Sequence, residues 1–162
     1  MTRILSLDDS PEILKILHLF LELAGYEHLR TVESEAALSI LRTEAIDLFT
    51  QDCIRPDVHG IELYKRLKAD EQLRRIPVLF ISAGQRPEFA AECRSVYGDD
   101  YLTKPFQLET VLSTVAALLQ RRGKHIPTEK ERAERYAQIR AGLATELGWS
   151  TEQLDAAYEQ WF

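Results

Sequence analysis

Five residues of this 162-residue chain carry side chains suited to moving a phosphoryl group: Asp8, Asp9, Asp52, Ser82 and Lys104. Three carboxylates in one place repel one another unless a counter-charge is supplied. A hard divalent cation with oxygen ligands resolves this, and Mg²⁺ suits one or two carboxylates completed by water and phosphate oxygens. Lys104 supplies a second positive charge. With the charge balanced, one carboxylate can attack phosphorus in line, and Ser82 can donate a hydrogen bond to a phosphoryl oxygen. Ala83 and Gly84 leave room beside it. The chemistry therefore requires that positions 8 to 104 converge in space.

The elements between them supply the means. Short apolar runs alternate with longer amphipathic ones. Strands are expected over 4–7, 27–32, 46–51, 77–82 and 100–102, and helices over 33–43, 61–70, 87–97 and 107–122. An earlier helix starts at Ser10 as N-cap with Pro11 in its first turn, carries Ile13, Leu17, Phe20, Leu21 and Ala24 on one face, and stops at Gly25. Strands separated by helices run parallel, and right-handed crossovers give a doubly wound α/β sheet with helices on both faces. In such sheets ligands sit outside the carboxyl ends of the strands, at the switch in winding direction. Asp8-Asp9, Asp52, Ser82-Ala83-Gly84 and Thr103-Lys104-Pro105 follow the first, third, fourth and fifth strands, so they meet at that edge.

Composition narrows the remaining classes. Lys+Arg 20 against Asp+Glu 26 gives a charge of −6, which argues against a uniformly basic nucleic-acid surface. Cys53 and Cys93 cannot form a multi-disulfide framework, and the chain turns acidic at Asp8, too soon for a signal peptide. The sparse cysteines lead to the expectation of a reducing cytoplasm, and with no run of 18 apolar residues no membrane span is expected. The glycines are never close enough for a P-loop or a Gly-x-Gly-x-x-Gly turn. His18, His28, His59 and His125 lack metal-ligand spacing and read as structural or exposed, and Cys53 reads as an ordinary small side chain.

Over residues 1 to about 122 the pattern resembles the response-regulator receiver domains of two-component signalling. The resemblance rests on Asp8-Asp9, on Asp52 with Pro56 and Gly60 downstream, on Ser82-Ala83, and on Tyr101-Leu102-Thr103-Lys104-Pro105-Phe106. It implies a flavodoxin-like five-stranded parallel sheet with Asp52 as phospho-acceptor. Asp8, Asp9, Asp52 and the Ile54 backbone carbonyl would hold Mg²⁺. Lys104 would contact the phosphoryl group, with a cis Lys104–Pro105 bond, and Ser82 and Tyr101 would form a switch pair. Thr50, Gln51, Arg55 and His59 depart from the family's commoner residues without removing a ligand. Arg55 is a candidate for partner choice.

The implied partners are a sensor histidine kinase or histidine phosphotransfer protein as donor, and a downstream protein target. The protein is expected to be a phospho-acceptor and not an enzyme, with at most slow autodephosphorylation. An aspartyl phosphohydrolase on this layout usually places Asp-x-Asp after its first strand, whereas here the pair is adjacent. A pseudo-receiver that never carries phosphate is the other alternative. Each residue has a plainer reading alone: Asp8-Asp9 a solvated turn, Ser82 a strand-end hydroxyl, Tyr101 a packing aromatic, Lys104 a surface lysine. Their joint order outweighs it.

Residues 123–127 read as a linker and 128–162 as a helical hairpin. Thr128-Glu129-Lys130-Glu131 and Ser150-Thr151-Glu152-Gln153 are capping boxes, with Gly148 between the helices. Tyr136, Ile139, Leu143 and Leu147 stripe the first helix, and Leu154, Tyr158 and Trp161 the second. About 35 residues are too few to hold a core alone, so the stripe must bury on the receiver, a second copy or a partner. A docking element or a homodimer through 128–162 is expected. Ala144, Gly148 and Leu154 also have the spacing of a helix-turn-helix, the DNA-binding alternative. Residues 141–162 contain four Asp/Glu and no Lys/Arg, which argues against DNA.

Overall fold

The strands bury both faces. Leu5, Leu7, Phe49, Val78 and Phe80 enter one core with Ala37, Leu38, Leu63 and Leu67, while Ile4, Leu48, Leu79 and Ile81 enter another with Leu17, Leu21, Val111 and Leu118. This alternation is the period-2 consequence of extended backbone covered by helices on each side. The structure is a computed structural model describing residues 1–53, 60–83, 91 and 99–162.

In chain order the elements are β1 (Arg3–Leu7), α1 (Pro11–Leu23), β2 (Glu27–Thr31), α2 (Ser34–Thr43), β3 (Leu48–Gln51), α3 (Gly60–Ala69), β4 (Val78–Ser82), β5 (Asp100–Thr103), α4 (Leu108–Arg121), α5 (Glu129–Leu147) and α6 (Thr151–Trp161). Of the helix expected over 87–97, residue 91 alone is among the described residues. The sheet order is β2-β1-β3-β4-β5, with every pairing parallel. The winding reverses between β1 and β3, so the crevice outside their carboxyl ends is the switch point.

β3 begins at Leu48, not at Ile46 as the apolar run implies. Asp47 is tied to Arg3 at this point: its backbone N–H donates to the Arg3 carbonyl at 2.9 Å, and its carboxylate accepts from the Arg3 N–H at 2.9 Å. The strand is entered through a side-chain clamp instead of a regular ladder step.

The expected caps are present. Ser10 Oγ accepts from the Ile13 N–H, Thr128 and Ser150 form capping boxes, and Gly148 ends α5 at φ +69°. The apolar stripes of α5 and α6 bury within this chain. Tyr136, Leu143, Ala144, Leu147 and Leu154 form a third core with Leu19 and Leu23 on the outer side of α1, flanked by Phe20, Ile139, Tyr158 and Trp161. The Tyr136 and Tyr158 rings stack with centroids 4.1 Å apart. Arg140 pairs with Asp155 across the hairpin, and Arg135 with Glu22 of α1 at 2.7 Å. Among the described residues no helix is long and apolar enough to cross a membrane.

Candidate functional site

β1 and β3 are adjacent, with Leu7 opposite Gln51, so the residues that follow them emerge side by side. The Asp52 N–H donates to the Leu7 carbonyl at 3.1 Å, which fixes the two strand ends together. Asp8, Asp9 and Asp52 each offer a carboxylate oxygen within 4.8 Å of the others. Asp8 and Asp52 are buried, whereas Asp9 is exposed at the rim.

Lys104 enters from the end of β5. Its Nζ lies 2.7 Å from Asp8 Oδ2 and 3.2 Å from Asp52 Oδ2. The Lys104 N–H donates to the Ser82 carbonyl at 2.9 Å, and Lys104–Pro105 is cis. Ser82 is fully buried, and its hydroxyl has no hydrogen-bond partner among the described residues. An unmade bond of this kind costs on the order of 1–3 kcal/mol, so it marks a place where an incoming oxygen gains.

The electrostatics show an unfinished site. Burial is the largest influence on the Asp8 carboxyl and raises its pKa, with the Asp52 charge adding to the rise; hydrogen bonds from Lys104 and the Ser10 N–H oppose it. Burial likewise works against the Lys104 ammonium, but the hydrogen bond to Asp8 and the charges of Asp8 and Asp52 outweigh it and hold its pKa above the ordinary lysine value. The Lys104 ammonium does not fully offset the burial of the Asp8 carboxylate. Three clustered carboxylates, oxygen ligands throughout, fit a hard divalent cation.

Two further residues shape the pocket. A Cβ at Gly60 would lie 2.6 Å from the Asp52 carbonyl oxygen and 2.6 Å from Cys53 Cα, so only glycine lets α3 begin against this backbone. The Gly60 N–H donates to the Cys53 carbonyl at 2.7 Å. Tyr101 is buried, stacked on Phe80 at 6.2 Å between centroids. Cys53 is buried beside Asp52. Ile54, Arg55, Pro56, Asp57, His59 and Gly84 lie outside the described residues, so the backbone carbonyl expected as a fourth metal ligand and the expected role of Arg55 fall there.

The structure therefore brings Asp8, Asp9, Asp52 and Lys104 together, with the Ser82 hydroxyl buried at the neighbouring strand end. A buried polar group that sequence patterning overlooked lies behind them. His18 of α1 and His28 of β2 face each other with Nδ1 atoms 3.0 Å apart. Ser6 and Thr50, from the strands that end at Asp8 and Asp52, continue the contact inward. The four residues come from four elements, β1, α1, β2 and β3, and no spacing within any one of them marks the contact.

Comparison with known proteins agrees with this geometry. A family model described as "Response regulator receiver domain" matches residues 4–116. The chain is 36% identical over 134 residues to the "DNA-binding dual master transcriptional regulator RpaA" of Synechocystis, covering 83% of this chain and 55% of that protein. It is 34% identical over 120 residues to the "Phosphate regulon transcriptional regulatory protein PhoB" of Pseudomonas aeruginosa, covering 74% and 52%. The chain thus spans about half the length of these curated relatives. Among solved structures, chemotaxis protein CheY4 of Vibrio cholerae superposes with TM-score 0.67 at 29% identity, over 73% of this chain and 98% of that one. The Francisella response regulator 1452 receiver domain gives TM-score 0.67 at 29% identity, over 75% and 98%.

Proposed function

The chain belongs to the response regulator receiver domain family of two-component signalling, and from that premise we propose that it accepts a phosphoryl group on Asp52 from a phosphohistidine donor and switches partner binding. The observation that carries this reading is the meeting of Asp8, Asp9 and Asp52 around the Lys104 ammonium.

In the proposed step an Asp52 carboxylate oxygen attacks phosphorus in line. The new O–P bond forms as the P–N bond to the donor imidazole breaks, and the imidazole leaves. Lys104, already 3.2 Å from Asp52, neutralises charge on the transferred group. The Ser82 hydroxyl, which has no partner among the described residues, donates to a phosphoryl oxygen. Asp8, Asp9, Asp52 and the Ile54 carbonyl would hold Mg²⁺, which when bound supplies charge neutralisation for the phosphoryl oxygens. Ser82 and Tyr101 act as the switch pair, so that new charge at Asp52 shifts the population between two packings.

The protein is proposed to be a phospho-acceptor with at most slow autodephosphorylation, working in the cytoplasm with a histidine kinase or phosphotransfer protein. Intact-mass measurement after incubation with acetyl phosphate and Mg²⁺ tests this. A single phosphoryl adduct that disappears in Asp52→Asn is expected. Equal adduct in Asp52→Asn would overturn the assignment, and none in either protein would favour the pseudo-receiver reading.

The sequence argument against DNA is not upheld for the protein as a whole. The relatives named above include a DNA-binding regulator, and the chain spans about half their length. DNA therefore stands as a proposed partner of the longer protein class. The acidic α6 of this chain remains poorly suited to hold phosphates. Fluorescence anisotropy of a labelled duplex, titrated at low and moderate salt, separates the two.

A further inference from the structure

A chain of hydrogen bonds crosses the layer between the sheet and the hairpin. His18 Nε2 lies 2.9 Å from Glu146 Oε2 of α5. His18 Nδ1 lies 3.0 Å from His28 Nδ1, and His28 Nε2 lies 2.8 Å from Ser6 Oγ. Thr50 Oγ1 donates to Ser6 Oγ at 2.7 Å. Ser6, Thr50, His18 and His28 are all buried.

The outer end sets the direction of this chain. The Glu146 carboxylate only accepts, so His18 carries its proton on Nε2. Neutral His18 then accepts at Nδ1, which requires His28 to donate from Nδ1. His28 Nε2 is left as the acceptor of the Ser6 hydroxyl, and Ser6 accepts from Thr50. Two ring protons satisfy every contact in this one arrangement.

A third ring proton has one place to go. The proton on His18 Nε2 stays directed at Glu146, one proton stays in the Nδ1···Nδ1 bridge, and the added proton lodges on His28 Nε2. This holds whichever ring carries the positive charge. Ser6 must then accept from His28, and its own hydroxyl proton turns toward Thr50.

We propose that the His18–His28 pair is a proton-operated relay, in which one added proton reverses the Ser6 and Thr50 hydroxyls and so alters the strand that ends at Asp52. Thr50 is two residues before Asp52, and Ser6 two before Asp8. His18 borders a cavity of about 270 Å³ between α1 and α5, which gives the pair a route to solvent. The charged groups around it are Glu22 of α1, Arg30 of β2, and Arg135 and Glu146 of α5. Glu22 also accepts from the His28 N–H at 2.9 Å. Burial is the main influence that keeps both imidazoles neutral; Arg30 reinforces it at both rings, and Glu146 opposes it at His18.

The inference does not depend on phosphoryl transfer, and ¹⁵N imidazole spectra of the full chain through an acid titration test it. At neutral pH His18 is expected as the Nε2–H tautomer and His28 as the Nδ1–H tautomer. On acidification His28 gains Nε2–H, and the Thr50 and Gln51 amides shift with the same midpoint. His28→Phe is expected to abolish that amide shift. Glu146→Gln, at a side chain 53% exposed, removes the carboxylate and moves the imidazole and Thr50 midpoints together to lower pH. His28 as the Nε2–H tautomer at neutral pH would overturn the relay. So would a Thr50 shift that survives His28→Phe, or a Thr50 midpoint that stays in place while the imidazole midpoint moves in Glu146→Gln.

Discussion

Gly60 lies so close to Asp52 that a Cβ on it would sit 2.6 Å from the Asp52 carbonyl oxygen. The first turn of α3 thus rests directly on the backbone of the proposed acceptor. Gly60→Ala must push this backbone away or tilt the helix. Overpacking of this kind costs about 1–3 kcal/mol. A lower urea midpoint with unchanged slope is expected, together with slower labelling of Asp52 by a small phosphodonor. Unchanged stability and labelling would show that the loop yields freely.

Divalent cation is expected to stabilise the fold. Burial makes ionised Asp8 costly, since its folded pKa lies above the unfolded one. Stability from this group is therefore lost as pH rises through that range, and the cost stands in full at neutral pH. A cation binding only the folded state would offset it, by about 2.7 kcal/mol at a concentration one hundred times Kd. Thermal unfolding with and without Mg²⁺ should show a rise in Tm that Asp9→Asn sharply reduces. Asp8→Asn should raise the metal-free Tm while removing the Mg²⁺ response.

Acid is expected to weaken the protein from the other side. Burial and Arg30 depress His18 from 6.5 to about 4, and His28 also lies well below its usual range. A histidine depressed in the fold contributes fully above its unfolded pKa. That contribution falls away as pH drops from about 6.5 toward about 4. Roughly 1–2 kcal/mol should be lost between pH 7 and pH 5, read as a lower urea midpoint, and His28→Phe should flatten the slope. The raised carboxyls of Asp8 and Glu22 contribute in the opposite sense, because acid relieves their burial. A stability that rises on acidification to pH 5 would show that the carboxyls dominate.

Leu154 of α6 is fully buried in the core shared with α1. Leu154→Ala removes buried methyl groups at a cost of about 2–5 kcal/mol. The loss falls on a core shared only by α1, α5 and α6, so it weakens the docking of the hairpin. Amide hydrogen exchange should accelerate across α5 and α6 with little change in β1, β3 and β4. Uniform acceleration would mean that hairpin and sheet unfold as one unit.

The site was legible because its residues occupy strand ends. Once the apolar runs were read as parallel strands, Asp8, Asp52 and Lys104 were bound to meet at the winding switch, whatever lay between them. The outer face of α1 was less legible. Its apolar stripe runs through Leu17 and Leu21, and Leu19 and Leu23 carry apolar side chains onto a second face that the hairpin covers. The His18–His28 contact joins two elements through side chains that are ordinary in either alone, so no spacing rule reveals it. Ile54 and all but one residue of the helix over 87–97 fall outside the described residues.

The most direct test of the central claim is chemical location of the phosphoryl group. After reaction with a small phosphodonor and Mg²⁺, borohydride reduces an aspartyl phosphate to homoserine, which peptide mass mapping assigns to a position. The account predicts homoserine at position 52 alone, abolished by Lys104→Ala or strongly reduced. Homoserine at another aspartate, or labelling that ignores Lys104, would contradict it.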